Sequence, residues 1–180
     1  MRISRRPLIA LLVAATAVLL TGLAAGAFGA PGKKHHGRSP HTGKHRGVPL
    51  IKESLAPSHL GDPTFHGVSP GSAPWQLRFG DVRVKRDGHL DLRVKGLVIP
   101  SLGTPGLVTT ISAALYCGAD ADGMAAATTP QVPLSRRGSA RIHDTSFSVP
   151  ATCLAPLILV QPHGPGVPAN AYIAMDGRRP

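Results

Sequence analysis

The residues able to do chemistry are few, and most of their spacings point away from catalysis. The chain has two cysteines, Cys117 and Cys153. In an oxidising compartment an even cysteine count favours a disulfide. The sharper alternative is a blue-copper centre, which needs two His, a Cys and an axial Met, the last ligands close together on one loop. After Cys153 the next His is His163 and the next Met is Met175, too widely spread for such a loop. Gly67-Val68-Ser69-Pro70-Gly71 matches the G-x-S-x-G nucleophile elbow, but that turn needs a strand before it and a helix after it. Pro70 follows the serine directly and no apolar helix follows Gly71, so the segment reads as a turn. His143, Asp144 and Ser146 are triad residue types, yet neighbours along a strand point to opposite faces. Asp120-Ala121-Asp122-Gly123 opens like a calcium loop but lacks the third acid and the closing Glu. Carbohydrate binding would need exposed aromatic platforms, for which Trp75, Tyr116 and Tyr172 are the candidates, with Trp75 expected in the core.

These residues need elements to hold them, and the alternation of apolar and charged residues supplies strands. Residues 82–85 (Val-Arg-Val-Lys) and 89–95 (His-Leu-Asp-Leu-Arg-Val-Lys) each carry one apolar and one charged face. A two-residue Asp87-Gly88 loop would set Val84 against Asp91. A three-residue loop, Arg86-Asp87-Gly88, pairs Val84 with Leu90 and Val82 with Leu92, and so predicts a left-handed Gly88 in a bulge. Leu97-Val98-Ile99 should continue the second strand to Pro100. Further short strands are expected at 107–117, 125–129, 132–134 (an edge, because of Pro133), 140–149, 153–160 and 171–175. Arg136-Arg137-Gly138 reads as a second hairpin turn. Gly and Pro number 21 and 18 of 180 residues, an excess that suits turns and argues against a helix bundle. The expected fold is all-β: an antiparallel, immunoglobulin-like β-sandwich of 7–9 strands over residues 74–176, with a tail at 177–180. A true immunoglobulin domain places its Trp between the two Cys, whereas Trp75 precedes both.

The N-terminal third reads as an address followed by a tether. Arg2, Arg5 and Arg6 precede an apolar run from Leu8 to Leu20, and Ala25-Gly26-Ala27 offers small residues for cleavage. Residues 1–27 are therefore a signal peptide, with Ser4 to Ile9 resembling a twin-arginine signal. The alternative is retention of residues 8–30 as a membrane anchor. Residues 28–73 read as a disordered basic linker rich in His, Gly and Pro, although Pro49-Leu50-Ile51 and Leu55 could dock on the domain. His35, His36, His41 and His45 invite a metal reading, but no helical face fixes them and cationic neighbours repel divalent ions.

The formal charge of +11 divides informatively. Arg2, Arg5 and Arg6 hold +3, and Lys33, Lys34, Arg38, Lys44 and Arg46 hold +5. The domain is left close to neutral, which removes the case for nucleic acid. The linker 33–46 is expected to make weak contact with anionic surface polymers.

Trp75-Gln76-Leu77, Gly96-Leu97-Val98-Ile99-Pro100, Gly103-Thr104-Pro105-Gly106, Leu115-Tyr116-Cys117-Gly118, Val132-Pro133-Leu134-Ser135, Cys153-Leu154-Ala155-Pro156 and Tyr172-Ile173-Ala174 resemble a group of small exported actinobacterial proteins. The resemblance covers residues 75–176. It implies export and a β-sandwich, and transfers no activity. The expected function is an exported, disulfide-stapled, non-enzymatic envelope or extracellular binding module. The expected partner is an envelope or extracellular protein. The only assigned site is Cys117 with Cys153; no catalytic, cofactor or metal residue is assigned. The alternative is an enzyme or metal carrier whose site gathers His89, His143 or His163 with Asp or Ser from distant loops.

Overall fold

A computed structural model describes residues 47–119 and 123–177. The strongest local pattern forms as its alternation dictates. Strand β3 (Phe79–Lys85) and strand β4 (Leu90–Lys95) pair with Val82 opposite Leu92 and Val84 opposite Leu90. The loop is Arg86-Asp87-Gly88, closed by Lys85 N–H to His89 O, and Gly88 has φ +86°. Only glycine takes that conformation without a Cβ penalty. A one-residue slip would have turned Val84 and Leu90, both fully buried, to opposite faces.

Two further groups of strands complete the sheet. Strand β8 (Ala140–Asp144) lies on the far side of β4, setting Ile142 opposite Leu92. Strand β5 (Thr110–Tyr116) pairs along its length with β9 (Leu157–His163), and β9 pairs in turn with β11 (Ala174–Asp176). The other edge of β5 carries two short strands, β6 (Ala127–Thr128) and β7 (Val132–Pro133). Pro133 lacks an N–H, which an edge tolerates.

Strand β1 (Pro49–Pro57) joins these groups. Its residues 49–54 pair with β3, and its residues 55–57 pair on the opposite edge with β11. The result is one curled, antiparallel path in the order β6-β5-β9-β11-β1-β3-β4-β8, with β7 also on β5. The inner faces of both halves meet in one core, including Val82, Val84, Leu92 and Ile142 from one and Ile111, Leu115, Ile158 and Val160 from the other. A short parallel pair, β2 (Ser69–Pro70) with β10 (Ala171–Tyr172), lies apart. Val68 and Tyr172 pack there with Ala114, Tyr116 and Leu159 in a second apolar cluster. This explains why nearly every residue of β5 is buried, on both faces.

Two expectations need correction. The linker assigned to residues 28–73 does not extend through residue 73, because 49–57 form a strand between β3 and β11. Pro49 and Pro57 sit at its two ends, where a missing N–H matters least, while Ile51 and Leu55 face the core. Leu97-Val98-Ile99 does not prolong β4. The strand ends at Lys95, and Val98 and Ile99 form isolated bridges with Gln76 and Thr104. Among the described residues the main sheet has nine strands, within the expected 7–9, and β2 with β10 forms a separate pair. The signal segment 1–27, the alternative anchor 8–30, the rest of the linker to residue 46 and the last three residues of the tail lie outside the described residues. Among the described residues no helix is long and apolar enough to cross a membrane.

Cys117 and Cys153 form a disulfide with Cα atoms 5.0 Å apart. Cys117 directly follows β5 and Cys153 shortly precedes β9, so the bond staples the longest strand pair at one end. Chain-entropy reasoning for a loop of this length gives roughly 4 kcal/mol. Reduction, or replacement of both cysteines by alanine, should lower the thermal midpoint by roughly 10 °C. Scanning calorimetry with and without reductant measures this, and an unchanged midpoint would contradict it.

Candidate functional site

Each histidine of the alternative enzyme reading has a polar partner. His89 Nδ1 lies 2.9 Å from Asp87 Oδ1, and His143 Nδ1 lies 2.8 Å from Asp91 Oδ1. His163 Nε2 lies 2.8 Å from Ser112 Oγ. The first two are on the hairpin turn and the exposed face of β4 and β8, whereas His163 is on β9 in the other half of the sheet. The three are not gathered into one cleft. His143 holds the Asp91 carboxyl below its usual range, chiefly through their hydrogen bond. Asp144 turns away and accepts from Ser146 N–H and Oγ–H instead, at 2.8 and 2.9 Å.

The Ser112–His163 contact has the composition of a nucleophile and its base. Ser112, however, is only 1% exposed, so a substrate could not reach its hydroxyl. Burial pushes the His163 imidazole downward, towards the neutral form. Beside this pair Gln161 Nε2–H donates to Tyr116 Oη at 3.2 Å, so the outer face of β5 and β9 carries short polar contacts that satisfy one another.

The remaining candidates fall in various places. Ser69 of the elbow-like motif is in β2, beside Thr64 Oγ1 at 3.3 Å. Asp120 and Asp122, and His35, His36, His41 and His45, lie outside the described residues. Among the described residues no group of three His, Cys, Asp or Glu could hold a metal. Trp75, Tyr116 and Tyr172 are all buried, so none is a carbohydrate platform.

The concave site with the clearest shape was not foreseen. An apolar pocket of about 330 Å³ opens between three chain segments, 71–75, 99–108 and 162–173, and its walls include Trp75, Ile99, Leu102, Leu107, Val167 and Ile173. Trp75 is fixed by Trp75 N–H to Ser58 O at 2.9 Å and by the Gln76–Val98 bridge that follows. Gly71 lets the indole approach, since a Cβ there would lie 2.9 Å from Trp75 Nε1. Leu102 and Leu107 are 58% and 66% exposed. No charged side chain lines the pocket, and Ser72 supplies its only hydroxyl. A site of this kind binds by removing apolar surface from water, with one or two polar groups for orientation. Its lining places no carboxylate, imidazole or amine beside the Ser72 hydroxyl. Leu102 and Leu107, large apolar residues inside a Gly/Pro loop, were the available sequence signal.

No family model, no curated protein and no solved structure matches this chain.

One buried titratable group stands out beyond the pocket. Asp176 of β11 lies opposite Leu55 of β1, and its Oδ1 accepts from Ile158 N–H at 2.6 Å. Burial, with a small contribution from Glu53, pushes its carboxyl up from 3.8 to about 6. A raised carboxyl pKa favours the protonated folded state. The associated stability is complete below the unfolded value and is lost as pH rises through about 6. The thermal midpoint should therefore fall between pH 4 and pH 7 by this contribution. Asp176→Asn keeps the acceptor and cannot ionise. It should flatten that part of the profile and be more stable than the parent at pH 7.5, by up to about 3 kcal/mol. Denaturant melts at several pH values measure this, and identical slopes for the two proteins would refute it.

Proposed function

We propose that this chain is an exported, non-enzymatic binding module of the cell envelope or extracellular space. Its folded domain, read as an immunoglobulin-like sandwich, would take an uncharged apolar group of a ligand or partner protein into the pocket beside Trp75. The observation that carries this reading is the pocket itself: apolar walls, exposed Leu102 and Leu107, and no charged lining residue. The Cys117–Cys153 disulfide supports an oxidising compartment. The basic, apolar and small-residue order of positions 1–27 supports export by a cleaved signal. The two inward faces that meet in one core support the sandwich class. An enzyme built on Ser112 and His163 is less favoured, because it would first have to uncover a buried hydroxyl.

Trp75 is the only tryptophan, so its fluorescence reports on the pocket directly. An uncharged naphthylamine dye should bind saturably and quench that emission. Leu102→Asp and Leu107→Asp should each weaken dye binding by about tenfold or more, since each removes apolar contact worth more than 1 kcal/mol. Both positions are exposed, so the thermal midpoint should hold. Absence of saturable quenching, or unchanged affinity in both variants, would sink the proposal.

A further inference from the structure

The near-neutral charge of the domain conceals a segregation. The outer face of the β1-β3-β4-β8 half is built from alternate residues, and the register sets them in rows. One row reads Ser54, Asp81, Arg93, Arg141 across the four strands, and the next reads Lys52, Arg83, Asp91, His143. Lys85 and Lys95 share the same alternation at either end of the hairpin. Six cations therefore face two acids, Asp81 and Asp91. Asp91 is already engaged by His143 at 2.8 Å and by Arg141 at 3.6 Å. Among the described residues, no acid lies within ion-pair distance of Lys52, Arg83 or Arg93, all of which are exposed.

Two of the cross-strand pairs are like-charged: Lys52 opposite Arg83, and Arg93 opposite Arg141. Like charges directly opposite destabilise a sheet. A face selected only for solubility would alternate the signs, as the Asp81–Arg93 and Arg83–Asp91 pairs do. The charged rows line a shallow concavity of about 620 Å³, whose walls hold Lys52, Arg83, Arg93 and Arg141 with the acids Asp81 and Asp91 and, from the edge of β1, the exposed Glu53. Phe79, on the same face, is 47% exposed at the end of β3.

We infer that this face is a second binding surface, distinct from the pocket, and that it takes an acidic polysaccharide. The excess of cations on these rows, with Lys52, Arg83 and Arg93 outside any ion pair among the described residues, provides charge complementarity to a polyanion, and guanidinium forks match carboxylates in two-point contacts. Side chains about 4.8 Å apart within a row, and rows roughly 6.7 Å apart along the strands, suit a stretched chain carrying repeated charges. Phe79 offers the apolar side of a sugar ring a flat partner. Single-stranded nucleic acid would call for several aromatics interleaved with the cations, and this face has one, at its end. An anionic membrane would call for an apolar border to insert, and Phe79 is the only apolar side chain exposed on these rows.

The test uses the full chain, with immobilised polygalacturonate as probe, neutral dextran as control and an oligothymidylate as competitor. A face variant carries Arg83→Thr, Arg93→Thr and Arg141→Thr. A linker variant carries Gln at Lys33, Lys34, Arg38, Lys44 and Arg46. Threonine suits an exposed strand position, and loss of the like-charge pair should leave the thermal midpoint equal or higher. The parent should bind polygalacturonate but not dextran, and high salt should abolish binding. The face variant should lose at least tenfold in affinity, clearly more than the linker variant, while binding the naphthylamine dye like the parent. Should the triple variant fold poorly, Arg93→Thr alone should lose two- to threefold. Absence of parent binding would overturn the inference. So would a face variant that binds like the parent, a loss confined to the linker variant, or tighter binding of the oligothymidylate.

Discussion

The arrangement of the domain depends on β1 using its two edges in sequence. Residues 49–54 complete one half of the sheet on β3, and residues 55–57 complete the other on β11. A half-sheet with one apolar face has no stable existence in water until that face is covered. Because the same strand belongs to both halves, forming it brings the two apolar faces into register with one another. Ile51 and Leu55 lie on the inner side, one in each half. The crossing also places Asp176, opposite Leu55, where the halves meet, so the least comfortable charge of the domain sits beside the strand that unites it.

What could be read from the sequence follows from how local each signal is. The β3–β4 register was legible because apolar and charged residues alternate without interruption over both strands and only one loop length keeps them matched. Pro133 marked an edge strand for an equally local reason. The cysteine pairing followed from there being two. β1 was not legible, since Pro49, Pro57 and the Gly- and Pro-rich residues that follow look like linker, and its pairing partners lie far along the chain. The pocket was invisible for a stronger reason: three separated segments contribute walls, and no single stretch resembles a site. The hydroxyl–imidazole contact of Ser112 and His163, 51 residues apart, likewise depends on the β5–β9 register alone.

Net charge shows the same limit. Summed over the domain, cations and acids nearly cancel, and the sum carries no information about place. Strand alternation converts a sequence of mixed sign into a surface of mostly one sign, because residues two apart share a face. The neutral total is compatible with a domain that is electrically lopsided. The opposite half of the sheet does not present a comparable face. Val68 and Tyr172 cover it, and Tyr172 Oη–H donates to Pro63 O at 2.8 Å.

The disulfide closes residues 117–153 into a covalent ring, and that ring holds more than a loop. It contains β6 and β7, which edge β5, and also β8, which lies at the far end of the strand path against β4. A single backbone cut between residues 118 and 152 would therefore release nothing. Both pieces would stay joined through sulfur, with β8 held against β4 by Leu92–Ile142 packing. This is a form of resistance to proteases that does not rely on avoiding the first cut. The ring thus keeps both cut ends on one molecule in a segment that carries two of the two-residue strands, β6 and β7.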